Sequence, residues 1–231
     1  MRIVLLKLLR LLACVTPLFV AEVKAAEYSS MEDKQSYSIG YQLGADFRVK
    51  KIQVNPEVLA IGMKTAMAGA EPALNVEQMR SVLADLQQQV EEERKAQWQK
   101  LADDNRIAGE KFLAENRARE GVMTLAGGLQ YKIIKDGDGP RPGATSKVTV
   151  NYRGTLIDGT EFDSSYQRGQ AATFMVNRVI PGWTEILQLM PTGSKWQIFI
   201  PSALAYKERG NPPRIGPNQA LVFEIELLGV E

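Results

Sequence analysis

The side chains able to do chemistry in this chain form a restricted set. Histidine is absent from its 231 residues, and the only cysteine is Cys14. Zinc sites built from His and Cys are therefore excluded. So are nucleophilic systems in which histidine activates a serine or cysteine. Carboxylates remain, 27 Asp plus Glu, but no pair of them stands out as a general acid–base motif. An enzyme made from this set works without a nucleophile or a redox group, and no cofactor is implied. The segment that concentrates the remaining candidates is VTVNYRGTLIDGTEFDSS, Val148 to Ser165. Val148, Val150 and Tyr152 alternate with polar residues, as a half-buried strand requires. Asp158-Gly159 marks a tight turn, because Gly accepts positive φ and Asp tolerates it. Phe162 and Asp163 follow on the returning strand. Taken alone, this is a β-hairpin that carries a phenol, an aromatic ring and a carboxylate.

The elements that must position these residues can be read outward from the hairpin. Leu129 to Ile134 reads as a strand, with Gly127-Gly128 and Asp136 to Gly143 as loops around it. Upstream, Ile39, Leu43 and Phe47 recur every four residues, and so do Leu59, Met63 and Met67, a helical period. Asn55-Pro56-Glu57 is a helix start with N-cap, proline and first-turn acid. Asn75 followed by Gln78 resembles a capping box. From Ala73 to Ala108 there is no Gly or Pro, so a helix running to about Asn116 would be roughly 60 Å long. Met79, Val82, Leu83, Leu86 and Val90 stripe its first turns. Beyond Glu91 it is nearly all charge, the pattern of a helix that bridges domains through solvent. The run EEERK, Glu91 to Lys95, is a solvated face.

Composition narrows the partners. Lys plus Arg number 28 and the formal net charge is +1, which gives no nucleic-acid footprint. Arg2, Lys7 and Arg10 precede the apolar run Leu11 to Val20, and Val23-Lys24-Ala25 offers small residues for a peptidase. This is the layout of a signal peptide over residues 1–25, and its apolar run is too short to span a bilayer. Leu11-Leu12-Ala13-Cys14 weakly resembles a lipoprotein box, but it lies so close to Arg10 that almost no apolar segment precedes the cysteine. A cleaved periplasmic protein without an integral membrane segment is the expectation, and an outer-membrane lipoprotein the alternative.

The hairpin resembles the FKBP family of peptidyl-prolyl isomerases almost position for position, and the likeness runs from Gly121 to Glu231. VIPGW, Val179 to Trp183, is similar to the family's pocket-floor segment. LQLMPTGSKWQIFIPSALAYKERG, Leu187 to Gly210, is similar to its next strand and tyrosine loop, and LVFEIELL, Leu221 to Leu228, to its closing strand. The resemblance implies an α+β fold, an antiparallel β-sheet wrapped around a short helix, and prolyl isomerase activity on proline-containing polypeptides. It implies a pocket of Tyr152, Phe162, Val179, Ile180, Trp183, Tyr206, Ile215 and Phe223, with Trp183 as the floor. Tyr206 and the Ile180 N–H would hold substrate carbonyls. Asp163 would sit beside the twisting bond, held by Tyr152 and Arg168. Macrolides are candidate inhibitors by the same likeness. The rim departs from the family at Lys207, where Gly is usual, at Pro212-Pro213-Arg214 with Gly216, at Ala172 and at Arg178. Lys207 and Arg214 would bring positive charge to the pocket edge.

The helical front half is similar to the Mip-like branch of that family, after the macrophage infectivity potentiator. The likeness implies a helical dimerisation domain over 26–74, a long linker helix over 75–118 and an isomerase domain over 119–231, assembled as a homodimer. Two functions follow as rivals. One is an isomerase with chaperone action on secreted or outer-membrane proteins. The other is a non-catalytic dimeric periplasmic holdase.

Overall fold

The structure is a computed structural model that describes residues 28–231. The expected signal peptide and Cys14 lie outside the described residues. The chain divides into two compact units at Gln78 and Met79.

In the first unit, α1 (Met31–Val49) begins at Ser30, whose Oγ accepts from the Asp33 N–H at 3.0 Å. Helix α2 (Pro56–Met67) begins at Asn55, whose Oδ1 accepts from the N–H groups of Glu57 and Val58. Each cap satisfies donors that a helix start leaves open. Neither helix buries a residue completely. Their apolar residues line a groove of about 380 Å³ that includes Ile39, Leu43, Phe47, Leu59 and Met63. Ile39 is 61% exposed and Met63 47%, so among the described residues α1 and α2 close no core.

Helix α3 (Val76–Arg117) is opened by the expected reciprocal cap: Asn75 Oδ1 accepts from the Gln78 N–H at 2.8 Å, and Gln78 Oε1 accepts from the Asn75 N–H at 3.0 Å. Its later turns depart from the expected solvated course. Ala102, Gly109 and Asn116, seven residues apart, are buried within the second unit. A Cβ on Gly109 would stand 3.1 Å from the Ala220 methyl, and Phe112 lies 6.0 Å from the Phe199 ring. Asn116 Nδ2 donates to Gln130 Oε1 at 2.9 Å, and Gln130 Nε2 donates to the Leu113 carbonyl at 2.8 Å. The fully buried helix residues of the seam are small or amide side chains, with Phe112 half-buried beside them, so the seam carries no continuous hydrophobic period.

The second unit is a wholly antiparallel sheet of β1 (Val122–Thr124), β2 (Gln130–Lys135), β3 (Lys147–Leu156), β4 (Glu161–Ser164), β5 (Ala172–Met175), β6 (Lys195–Ile200) and β7 (Leu221–Val230). The order is β1-β2-β6-β7-β3-β4, and β5 pairs with β3. Short helix α4 (Pro181–Leu187) fills the concave side, with Trp183, Ile186 and Leu187 buried. Val148, Val150 and Tyr152 point into the same core and their sequence neighbours do not, so the alternation seen in the sequence is the pleat itself. This is the α+β fold expected, a sheet wrapped around a short helix.

The amide pair at the helix–sheet seam supplies a stability test. Asn116→Ala leaves the buried Gln130 carbonyl oxygen without its donor, at a cost of about 1–3 kcal/mol. Urea unfolding of the full-length protein followed by tryptophan fluorescence should show that loss. An unchanged midpoint would mean that the seam contributes nothing to folding.

Candidate active site

The cleft opens where four strands, α4 and the β6–β7 loop meet. Strand β3 supplies Tyr152, and β4 supplies Phe162 and Asp163. Strand β5 supplies Phe174, and β7 Phe223. Val179 and Ile180 lead into α4, which supplies Trp183, and Tyr206 comes from the loop. Together with Arg178 these residues line a cleft of about 390 Å³.

Trp183 is the hub of the aromatic wall. Its ring meets Tyr152 at 5.2 Å and 88°, Phe223 at 5.2 Å and 81°, and Phe174 at 5.7 Å and 85°. Edge-to-face contacts of this kind are the favoured arrangement of aromatic quadrupoles. Phe162 stands edge-on to Phe223 at 5.5 Å. Both rings press on Gly154 of β3, where a Cβ would lie 2.7 Å from each, so this strand position accepts no side chain. The Trp183 indole N–H is buried with no acceptor among the described residues.

Polar groups converge at one edge. The Tyr152 hydroxyl donates to Asp163 Oδ2 at 2.5 Å. Arg168 donates through Nη1 to Asp163 Oδ1 at 2.5 Å and through Nη2 to the Tyr152 hydroxyl at 2.8 Å. Burial pushes the Asp163 carboxyl up, but the hydrogen bonds from Tyr152 and Arg168 and the Arg168 charge outweigh it and hold it below the usual carboxylate value. Burial and the neighbouring carboxylate push Tyr152 up, and they act on Tyr206 in the same way. The site therefore holds a fixed carboxylate and two neutral phenols. The Tyr206 hydroxyl has no hydrogen-bond partner among the described residues, and the Ile180 N–H has no backbone acceptor there.

Of the residues expected at the site, Tyr152, Phe162, Asp163, Val179, Ile180, Trp183, Tyr206 and Phe223 share the main cleft. Arg168 lies behind it as the partner of Tyr152 and Asp163. Ile215 lines an adjoining cleft of about 230 Å³, beside Arg214, Tyr206 and Asp163. Phe174 was not among the expected residues. Its β5 segment, Ala172–Met175, has no strict alternation to mark an inward ring. The rim also differs from expectation. Lys207 lines neither cleft and takes a left-handed backbone at φ 53, a conformation that suits glycine far better than lysine. The rim cations are Arg178 and Arg214, and Arg214 Nη1 donates to the Phe162 carbonyl at 2.9 Å.

Residues 139–228 match the family model of the FKBP-type peptidyl-prolyl cis-trans isomerase, and residues 32–133 match that of the domain amino terminal to it. The outer membrane protein MIP of Legionella longbeachae is 48% identical over 92% of this chain and 91% of its own length. The FKBP-type 22 kDa peptidyl-prolyl cis-trans isomerase of Escherichia coli is 42% identical over 88% of this chain and 97% of its own. The crystal structure of FkpA from Escherichia coli superposes with a TM-score of 0.73 at 34% identity, covering 88% of this chain and 98% of that one. The chain belongs to the FKBP-type peptidyl-prolyl cis-trans isomerases. It is an enzyme of that class, and its substrates are proline-containing polypeptides.

The charge states make a pH prediction. The folded carboxyl of Asp163 is depressed, so its ion pair contributes fully above the ordinary carboxylate range and is lost only as pH falls through that lowered value. The phenols are raised, so their neutral forms persist beyond the usual tyrosine range and are lost only as pH rises through the higher values. The chain has no histidine. The catalytic efficiency kcat/KM should therefore be flat between about pH 5 and pH 9. An inflection between about pH 6 and pH 8 in a protease-free exchange assay would contradict this electrostatic picture.

Proposed function

We propose that the Trp183 cleft is the isomerase site and that it acts by binding a twisted prolyl amide better than a planar one. Resonance gives a peptide bond a rotation barrier of about 18–20 kcal/mol, and Xaa-Pro bonds exchange in tens to hundreds of seconds. Rotation removes resonance and leaves a less polar carbonyl–nitrogen unit. A dry aromatic cleft favours that unit over the solvated planar amide, which is complementarity to the transition state alone. The proline ring rests on Trp183, among Phe162, Val179, Ile180 and Phe223, with Ile215 at the border of the adjoining cleft. Tyr206 and the Ile180 N–H, both without partners among the described residues, take substrate carbonyls. Asp163 faces the turning carbonyl, oriented by Tyr152 and Arg168. The observation that carries this reading is the convergence of the Tyr152–Asp163–Arg168 cluster with an aromatic box floored by Trp183. Macrolides that fill such a box are candidate inhibitors.

Asp163→Leu and Tyr206→Phe should each lower kcat/KM by about tenfold while leaving the unfolding midpoint within about 1 kcal/mol. Trp183→Ala should lose both activity and about 3–5 kcal/mol of stability, because it empties a buried aromatic position. Exchange measurements on a short Ala-Xaa-Pro peptide decide the matter. Full activity in both polar variants overturns the assignment of this cleft.

The reading extends to location and assembly. A cleaved signal peptide would deliver the enzyme to the periplasm, in keeping with a relative whose name places it in the outer membrane. The domains are a helical dimerisation part (26–74), a linker helix (75–118) and the isomerase (119–231), with the last turns of the helix packed on the isomerase sheet. The open groove of α1 and α2 is the surface on which two copies close, burying Leu43, Phe47 and Leu59 in an isologous contact. Two sites joined in this way raise effective concentration on one unfolded chain, which supports chaperone action beside catalysis.

Sedimentation of the mature chain should show a dimer. Leu43→Glu with Met63→Glu should give a monomer that isomerises short peptides within about twofold of the parent, yet assists a proline-limited refolding reaction distinctly less well. A monomeric parent, or undiminished refolding assistance by the double variant, removes the dimeric reading.

A further inference from the structure

We infer that helix α3 braces the β6–β7 loop, and that Asn105 and Trp98 are positioning residues for the Tyr206 wall of the cleft. The inference rests on the assignment of that cleft as the isomerase site. The loop runs from Ile200 to Leu221 without a strand and carries Tyr206, Arg214 and Ile215. Such a segment must be held by something if the Tyr206 hydroxyl is to meet a substrate carbonyl at a fixed place. Its internal ties are backbone hydrogen bonds, most of them within short turns. The Leu204 N–H donates to the Pro201 carbonyl, the Ala205 N–H to Ser202, and the Gly210 N–H to Tyr206 and Lys207. Only the two bonds exchanged by Asn211 and Ile215 and the one from the Asn218 N–H to the Lys207 carbonyl at 2.8 Å tie the later part of the loop.

Ala205 and Ile215 are also buried in the core, and side-chain hydrogen bonds reach the loop from outside in two directions. On one side Arg214 reaches the Phe162 carbonyl on β4. On the other, α3 offers three hydrogen bonds from one helical face. The Trp98 indole N–H donates to the Glu208 carbonyl at 3.3 Å, and Asn105 Nδ2 donates to the Pro217 carbonyl at 2.7 Å. In return Asn218 Nδ2 donates to the Ala102 carbonyl at 3.3 Å. Positions 98, 102 and 105 follow one another at helical spacing along about 10 Å of the axis. Gly216 lets the helix come close, since a Cβ there would lie 3.2 Å from Asn105 Nδ2 and 3.7 Å from Leu101 Cδ2. The bonded carbonyls flank the active segment: Glu208 stands two residues after Tyr206, and Pro217 two residues after Ile215.

Neither Asn105 nor Trp98 lines the cleft, so any effect on catalysis must pass through the loop. A loop ordered before substrate arrives spares the ordering entropy otherwise lost on binding. The helix thus belongs functionally to the isomerase site as well as to the linker.

The test uses the full-length mature protein with Asn105→Asp, which keeps size but removes the donor, and Trp98→Phe, which keeps an aromatic ring but removes the N–H. Lys100→Ala is the control, because Lys100 pairs with Asp104 in solvent. Each substitution should raise KM for a short prolyl peptide about three- to tenfold with kcat within about twofold, and the pair together should exceed either alone. Amide hydrogen exchange over residues 207–219 should quicken about tenfold or more, while β3 and β7 keep their protection. The control should move neither readout. Unchanged KM and unchanged loop exchange overturn the brace. So does a lowered unfolding midpoint with both readouts at parental values in the folded protein, which would make the contacts mere attachment. If Asp163→Leu stays fully active, the cleft assignment and the KM arm fall together, and loop exchange alone decides the brace.

Discussion

Everything in the second unit depends on keeping one indole dry and edge-on to its neighbours. Trp183 is 4% exposed and stands nearly perpendicular to three other rings. That geometry places constraints far from the ring. Strand β3 must carry no side chain at Gly154, or Phe162 and Phe223 could not close against each other. Helix α4 must approach β6 so closely that a Cβ on Gly182 would stand 2.6 Å from Ile200. Short as it is, α4 gains its stability from this packing and not from helix propensity.

Against that apolar floor, the polar chemistry is confined to one edge and one charge state. Asp163 is about two-fifths exposed, so its pairing with Arg168 contributes orientation more than stability. A carboxylate with both oxygens occupied is a fixed dipole source, and it neither gives nor takes a proton near neutral pH. This suits a reaction in which no bond to hydrogen is made or broken and only the charge separation of an amide changes. Two groups without partners among the described residues, the Ile180 N–H and the Tyr206 hydroxyl, stand at the same cleft. Unmet hydrogen-bonding capacity beside a buried aromatic wall is costly, and under the proposed reading a substrate carbonyl would relieve it.

The two units differ in how far they close on themselves. The first leaves an apolar groove open and buries no residue of α1 or α2 completely. The second is closed, and it recruits the later turns of α3 through Ala102, Gly109 and Asn116. Along α3 itself two stretches differ in composition. Leucine and valine stripe the beginning, whereas small and amide residues line the seam with the sheet. A close backbone approach at Gly109 and Gly216 replaces bulk apolar burial there.

Much of this was legible along the chain. The alternation of Val148, Val150 and Tyr152 determined the strand and its inward face, because a pleat repeats every two residues whatever it packs against. The caps at Asn55 and Asn75 were equally local, since their bonds span two or three residues. The aromatic and polar residues of the cleft could be named only through the resemblance of their motifs to the FKBP family. Tertiary structure alone decided how they divide: Ile215 into the adjoining cleft, Arg168 behind Asp163, Arg178 and Arg214 onto the rim, and Lys207 away from it. It alone added Phe174, whose strand carries too little alternation to declare a face. It alone turned the charged half of α3 from a solvated spacer into a partner of the β6–β7 loop. Local rules act through neighbours in sequence, and those the chain states for itself. The contacts of α3 with the β6–β7 loop join residues more than a hundred positions apart through indole and amide hydrogen bonds and a glycine's absent side chain, which leave no period to read until the chain has folded.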